Sequence, residues 1–356
     1  MSSDQIVKVV VIGAGQAGLS VAYYLRRFEL EAGSDFVVFD RGPGPGGAWQ
    51  HRWESLRLGT AHKVNDLPGM SELGLSFETA DRAWPAKEIV AAYYGSYEQH
   101  FQLRVQRPVA VTAVENRGAD LLVRHSRGET ITQIVVNATG TWGAPFVPYY
   151  PGMNTFEGRH VHTADYVSAQ QFRGQNVVVV GGGTSAIGFM LELEDVAAQL
   201  TWVSRRPIDW LDTQELDVEG ASAAVAMQDE AARSGRALPS IVSGTGVPKS
   251  RRIAAGIARG LLVARPMFDR IEPDGVRWSD GTFAPADAIV WATGFRPELR
   301  QLSPLKLREK AGGLTVAAGA SWTDPRVFLA GYGPQASTIG ASRAGRMIAR
   351  QIMAMM

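Results

Sequence analysis

The sequence contains no cysteine in its 356 residues. This absence excludes folding supported by disulfides, cysteine-ligated metal and a dithiol redox centre. An excess of charge of either sign is also missing, because 36 Lys and Arg residues stand against 35 Asp and Glu residues. A balanced chain gives no basic footprint for a nucleic acid, so we expect no nucleic-acid partner. With 45% apolar residues, the chain can bury a sizeable core.

Long apolar segments are lacking as well. No run approaches the roughly 20 residues that span a bilayer, and the opening MSSDQIVKVVVIG has no basic leader of the kind found in signal peptides. We therefore expect a cytoplasmic protein without membrane contacts. No compact cluster of His and carboxylate residues is present, so no metal site is predicted. The sequence leaves a homodimer open.

Glycine, in contrast, is abundant, and its first cluster follows a β-branched run typical of a buried parallel strand. Gly13-Ala14-Gly15-Gln16-Ala17-Gly18 has the pattern G-x-G-x-x-G between this strand and a helical pattern. Here Gly13 allows a tight turn, Gly15 lets the backbone approach a pyrophosphate, and Gly18 lets the helix pack on the strand. Asp40 ends the next strand, where a carboxylate accepts from ribose hydroxyls. The alternative is a glycine turn without a ligand.

A second glycine cluster restarts the same pattern. Gly181-Gly182-Gly183-Thr184-Ser185-Ala186 has the permitted form G-x-G-x-x-A. The following strand ends at Ser204 instead of an acid, and Arg205 and Arg206 come directly after it. Guanidinium groups bind a 2′-phosphate through charge-assisted hydrogen bonds, so this site is predicted to prefer NADPH to NADH. The alternative is that both arginines are ordinary solvated charges.

The segment before the second cluster carries the most specific pattern. Phe156-Glu157-Gly158-Arg159-His160-Val161-His162-Thr163-Ala164-Asp165-Tyr166 reads F-x-G-x-x-x-H-x-x-x-Y. It resembles the fingerprint of the class B flavin monooxygenases, the superfamily of flavin-containing and Baeyer–Villiger monooxygenases. The chain is most similar to the short, soluble bacterial flavin-containing members. Residues 46–49, 138–140, 292–294 and 337–340 are also similar to stretches in these enzymes.

The resemblance implies an α/β fold of two Rossmann-like, three-layer domains, the second inserted in the first. The expected parts are an FAD-binding domain at 1–150, an NADPH-binding domain at 151–290 and the rest of the FAD-binding domain at 291–356. The implied FAD-binding residues are Gly13, Gly15, Gln16, Gly18, Asp40, Arg41, Gly47, Trp49 and Val109. Thr139 and Gly140 are implied cofactor-binding residues where the chain crosses between the domains. The implied NADPH-binding residues are Gly181, Gly183, Thr184, Ser185, Arg205 and Arg206, and Thr293 and Gly294 are further cofactor-binding candidates.

The implied activity is FAD-dependent oxygenation of small organic sulfides, amines or ketones with NADPH and O₂, through a flavin C4a-(hydro)peroxide. No residue receives a catalytic role, because the flavin carries the chemistry while the protein supplies position, electrostatics and water exclusion. His162 and Tyr166 of the fingerprint are interpreted as residues of an interdomain hinge. His51 and His62 are expected in surface or packing roles.

One departure from the family keeps a second enzyme class open. In the eukaryotic relatives an Asn follows the equivalent of Trp49, and the counterpart here is Gly59, with Asn65 as the nearest alternative. An NADPH oxidase or flavin reductase that releases hydrogen peroxide is therefore the competing enzyme. A disulfide reductase shares the two-site layout but needs a cysteine pair. From a different class, a redox sensor would bind both nucleotides without turnover.

Overall fold

The computed structural model describes residues 6–61, 63–213, 218–239 and 246–356. Its helices are α1 (Gln16–Arg27), α2 (Ala86–His100), α3 (Thr184–Leu193), α4 (Val218–Arg233), α5 (Arg251–Ala258) and α6 (Thr338–Met355). Its strands in the first part of the chain are β1 (Val7–Ile12), β2 (Phe36–Phe39), β3 (Val111–Arg117), β4 (Asp120–His125), β5 (Gly128–Asn137), β6 (Arg159–His162), β7 (Asn176–Val180) and β8 (Gln199–Val203). The later strands are β9 (Trp210–Leu211), β10 (Val247–Pro248), β11 (Arg270–Glu272), β12 (Gly275–Arg277), β13 (Phe283–Pro285), β14 (Ala288–Trp291), β15 (Val316–Ala317), β16 (Ala320–Ser321) and β17 (Val327–Leu329).

Two compact units divide the chain. Unit 1 consists of residues 1–143, 225–239 and 297–356, and unit 2 of residues 144–224 and 240–296. Unit 2 is inserted between segments of unit 1, and the chain passes between the units after residues 143 and 296, near the expected limits of 150 and 290. Residues 144–146 and 294–296 hydrogen-bond to one another inside unit 2, which moves both limits.

The segment 225–239 was expected within the NADPH-binding part, yet it packs in unit 1. Ala232 is buried in the apolar cluster that contains Leu314 and Tyr332. Arg236 also forms a β-bridge with Gly312. These contacts explain why the chain returns to unit 1 within the expected second domain.

Unit 1 is built on one mixed sheet. Its parallel part has the order β2–β1–β5–β17, with β16 and β15 added antiparallel at one side and the β3–β4 hairpin joined to β5. In β1, Val9 and Val11 face a cluster that includes residues of α1, α2 and α6, whereas Val10 and Ile12 face the opposite cluster. Each fully buried valine contributes roughly 1.5–3 kcal/mol relative to an exposed one. The predicted strand with two buried faces is confirmed.

Unit 2 contains a parallel sheet of order β6–β14–β7–β8. A separate antiparallel sheet, β11–β12–β13, lies in the same unit. Trp291 of β14 is fully buried, and its ring lies 6.5 Å from that of Phe268. Each unit thus contains a strand, a glycine turn and a helix in succession, β1 to α1 in unit 1 and β7 to α3 in unit 2, as predicted for two Rossmann-like domains.

Two kinds of feature are missing from the described ranges. No helix within them combines the length and apolarity needed to cross a membrane. In the same ranges, no three His, Asp or Glu side chains are grouped so as to hold a metal ion.

Candidate functional site

A cavity of about 500 Å³ opens in unit 1 where β1 ends and α1 begins. This volume lies in the range of small-molecule and cofactor sites. Most of the cofactor-binding residues predicted in the first part of the chain line the cavity, namely Gly13, Gly15, Gln16, Asp40, Arg41, Gly47, Trp49, Val109, Thr139 and Gly140. Fold and sequence motif therefore bring these residues together around one space.

The three glycines of the motif in unit 1 differ in the space that surrounds them. Gly13 has φ +101°, and a Cβ there would lie 2.6 Å from the Ala138 carbonyl oxygen. Gly18 does not line the cavity; a Cβ there would lie 1.8 Å from the Gly13 carbonyl oxygen. A Cβ on Gly15, in contrast, would meet only Gly47 Cα, at 3.9 Å. The protein itself requires the first and third glycines, but it leaves space at the second.

Asp40 joins the glycine turn to the end of β2. Its Oδ2 accepts from the Ala14 N–H at 2.7 Å, and its Oδ1 accepts from the Gly42 N–H at 2.6 Å. The Nη2 atom of Arg107 lies 3.9 Å from Oδ2. Arg107 donates twice to Glu98, at 2.6 and 2.7 Å. Burial raises the pKa of Glu98. A largely buried arginine thus lies between two carboxylates, an arrangement that sequence spacing did not reveal.

Glu298 links several residues that line the cavity. Arg41 forms an ion pair with the Glu298 carboxylate at 3.0 Å. Thr139 donates its hydroxyl to the Glu298 carbonyl oxygen at 2.7 Å, and the Glu298 N–H donates to the Gly140 carbonyl oxygen at 2.9 Å. These bonds hold the Ala-Thr-Gly segment in place.

Residues after Trp49 also line the cavity, although the sequence gave them no binding role. The rings of His51 and Trp142 are parallel within 10°, with centroids 6.0 Å apart. Burial lowers the pKa of His51. Arg52 lies with its guanidinium carbon 4.6 Å from the Trp142 ring centroid and 5.5 Å from that of Trp49. An arginine in an irregular stretch offers no periodic signal by which this placement could be predicted.

Gly59, which stands where the eukaryotic relatives have Asn, does not line the cavity. The Gly59 N–H donates to the Arg82 carbonyl oxygen at 2.8 Å, and a Cβ on Gly59 would lie 3.0 Å from that oxygen. The Asn65 main-chain carbonyl accepts from Gln16 Nε2 at 2.9 Å, which brings residue 65 near the cavity wall. His62 lies outside the described residues.

The second glycine turn, in unit 2, has the same local geometry. Gly181 has φ +142°, and a Cβ there would lie 2.3 Å from the Ala292 carbonyl oxygen. Gly183 is the N-cap of α3 in extended conformation without a side-chain cap, and Thr184 and Ser185 begin the helix. Helix N–H groups in this position can bind phosphate. Arg205 and Arg206 are both exposed.

The fingerprint histidine is held in one tautomer. His162 Nδ1 accepts from the Ala164 N–H at 3.1 Å, so its proton lies on Nε2, 3.0 Å from the Gly294 carbonyl oxygen. Burial lowers the pKa of His162. Thr293 donates to the Phe146 carbonyl oxygen. These bonds link the ends of β6 and β14 inside unit 2 and favour a positioning role for His162.

Tyr166 is buried among aromatic rings of the same unit. Its ring centroid lies 4.1 Å from that of Phe189, and its hydroxyl donates to Glu192 at 3.2 Å. Burial first, and the Glu192 charge second, raise its pKa. A tyrosine with these neighbours keeps its proton, which favours a structural role.

Replacing His162 by glutamine tests that role through the pH dependence of stability. Because the folded state holds the imidazole neutral, the unfolded chain takes up the proton first as the pH falls through the ordinary value of 6.5. The stabilisation that neutral His162 contributes to the wild type is thus fully present above that pH and is lost as the pH falls below it. We expect the variant to melt about 2–4 °C lower at pH 8 and the gap to narrow at pH 5.5. An equal gap at both pH values would contradict the assignment.

The chain resembles known flavoproteins over nearly its whole length. Residues 10–219 match the model of the pyridine nucleotide-disulphide oxidoreductase family. Two structures of a flavin monooxygenase from Stenotrophomonas maltophilia, one a two-residue variant, are 33% identical, cover 99% of both chains and have TM-scores of 0.80 and 0.83. An uncharacterized oxidoreductase, CzcO, of Bacillus velezensis is 26% identical over 331 residues, or 90% of each chain.

A trimethylamine monooxygenase of Pelagibacter ubique is 31% identical over 225 residues, which are 54% of this chain and 46% of the relative. The chain spans about half the length of that relative. The chain cannot form the disulphide that the family description mentions, because it contains no cysteine. The chain belongs to the pyridine nucleotide-disulphide oxidoreductase family and is a flavin monooxygenase, an oxidoreductase with FAD and NADPH as its cofactors.

Proposed function

We propose that the cavity of unit 1 binds FAD, that the glycine turn of unit 2 binds NADPH, and that the enzyme oxygenates small organic sulfides, amines or ketones with O₂. The observation that carries the proposal is the glycine turn of unit 1, which leaves space at Gly15 beside the Asp40 carboxylate. Bound FAD would supply hydride acceptance and the reaction with O₂.

The residues of unit 1 fit a dinucleotide. The N-terminus of α1 offers N–H groups and a favourable dipole to a pyrophosphate. Asp40 already accepts two backbone N–H bonds, yet each carboxylate oxygen has a second lone pair for a ribose hydroxyl. Arg107 compensates the buried charge of Asp40 and Glu98. Trp49 covers apolar area at the cavity wall and excludes water there.

In unit 2, the exposed Arg205 and Arg206 follow β8, the strand whose end receives the ribose in this fold. Two guanidinium groups at this place favour a 2′-phosphate over a hydroxyl. The proposed preference for NADPH rests on these two side chains. For the substrate class, the name of the Pelagibacter ubique relative supports a small amine.

The decisive measurement compares NADPH consumption with hydrogen peroxide release in the presence of trimethylamine, dimethyl sulfide or cyclohexanone. We expect at least one of these compounds to give an oxygenated product and to lower peroxide below the NADPH consumed. Peroxide equal to NADPH with every compound would favour the oxidase, the alternative supported by Gly59 at the family's Asn position. Yellow protein that anaerobic NADPH never bleaches would favour the redox sensor.

A further inference from the structure

Arg52 is a largely buried cation of the cavity whose charge has no partner in the described residues. No carboxylate of those residues forms an ion pair with it, and its Nε atom is buried without a hydrogen-bond acceptor. Its guanidinium lies over the rings of Trp142 and Trp49. Burial lowers the pKa of Arg52 to about 10. The side chain therefore keeps its positive charge at neutral pH in a poorly hydrated place.

The other arginines that line the cavity differ in this respect. Arg41 forms an ion pair with Glu298, and Arg300 is exposed to solvent. A buried charge without compensation is unfavourable, and cation–π contacts offset only part of its desolvation. The imbalance at Arg52 points to an anion that enters the cavity.

Arg52 lines the same cavity as the glycine turn of unit 1. His51, next in the chain, lies close enough to Arg41 and Asp40 for both charges to act on its pKa after the larger effect of burial. A Cβ on Gly143, the residue after Trp142, would lie 2.1 Å from the Arg41 guanidinium. Asp40 in turn is bonded to Ala14 of the turn. In this fold the pyrophosphate of a dinucleotide lies at such a turn.

We infer that Arg52, held between two indole rings, is a pyrophosphate-binding residue of the FAD site that acts together with the N-terminus of α1. The inference rests on the proposed FAD site. A planar guanidinium can donate two parallel hydrogen bonds to phosphate oxygens while its faces contact the rings. A lysine at this position would retain the charge but lose both features.

The test measures binding by the apoprotein instead of turnover. Purified Arg52→Gln, Arg52→Lys and wild-type apoproteins are titrated with FAD by flavin fluorescence, and ADP is then added as a competitor that carries the pyrophosphate but no flavin. Riboflavin, which carries the flavin without phosphate, is titrated separately. Arg57→Gln is the matched control, because Arg57 is exposed on the same irregular stretch and does not line the cavity.

We expect Arg52→Gln to weaken FAD and ADP alike by roughly 10- to 100-fold. Riboflavin should bind as in the wild type, Arg52→Lys should show an intermediate loss, and Arg57→Gln none. Weakened FAD and riboflavin with unchanged ADP would place the contact on the flavin ring and overturn the inference, as would unchanged affinity for all three. If Arg52→Gln fails to fold, the lysine variant decides between these outcomes. Wild-type protein that binds no FAD would contradict the proposed function instead.

Discussion

Replacing Gly15 by alanine is expected to weaken FAD binding by at least about 100-fold, or roughly 2.8 kcal/mol, without unfolding the apoprotein. Gly15 has φ −84° and ψ −168°, which alanine adopts without strain. Its Cβ would meet only Gly47 Cα, at 3.9 Å. The added methyl therefore occupies space that the protein leaves open and a pyrophosphate needs. FAD titration of the apoprotein measures the loss, and thermal melting checks the fold.

The neighbouring glycine is the control for this experiment. Alanine at Gly18 would bring its Cβ to 1.8 Å from the Gly13 carbonyl oxygen, so Gly18→Ala should lower the melting temperature of the apoprotein itself. Gly15→Ala should leave that temperature within about 2 °C, because backbone effects of this kind are small where the conformation is compatible. If Gly15→Ala binds FAD like the wild type, the cavity at this turn does not hold the pyrophosphate.

Replacing Arg205 and Arg206 together by alanine should raise the KM for NADPH by roughly 100-fold and change that for NADH by less than about 3-fold. The estimate takes about 1.5 kcal/mol for each charge-assisted hydrogen bond to the 2′-phosphate. NADH has no such phosphate, so it loses nothing from the change. Initial rates of flavin reduction with each nucleotide measure both constants.

Arg251 and Arg252 provide a matched pair for that experiment, because they are also adjacent, exposed arginines of unit 2. Their double alanine variant should leave the NADPH to NADH preference unchanged. An equal rise for both nucleotides in the Arg205 and Arg206 variant would mean that the arginines support the unit in general. The claim of 2′-phosphate recognition would then be wrong.

Sequence patterns predicted the elements that depend on residues close together in the chain. The apolar run before each glycine turn became a strand with both faces buried, and Asp40 stands at the end of β2 as spacing indicated. Among the strands that the sequence did not predict are β6 and β17. Each has only three or four residues and pairs with a strand far along the chain, so its stability comes from that pairing instead of from its own periodicity.

The cavity wall shows the same limit. Gly47 and Trp49 could be placed by family resemblance, whereas Arg52 and Arg107 could not. Arg107 lies far along the chain from Asp40, and only the fold brings its guanidinium near that carboxylate. Residues 225–239 pack in unit 1 although they lie within the range expected to bind NADPH, since a helical pattern does not indicate which core the helix joins.

The position of β17 bears on how the chain is made by the ribosome. This strand pairs directly with β5, although nearly 200 residues of polypeptide separate them. During synthesis, the whole of unit 2, which ends at residue 296, emerges before β17 does. The nascent unit 1 must therefore wait with residues 135–137 of β5 unpaired on one side while unit 2 can already fold. Slow translation of the last part of the mRNA would prolong the time for which this part of β5 is unpaired. A holdase chaperone that binds apolar strands would protect it during that time.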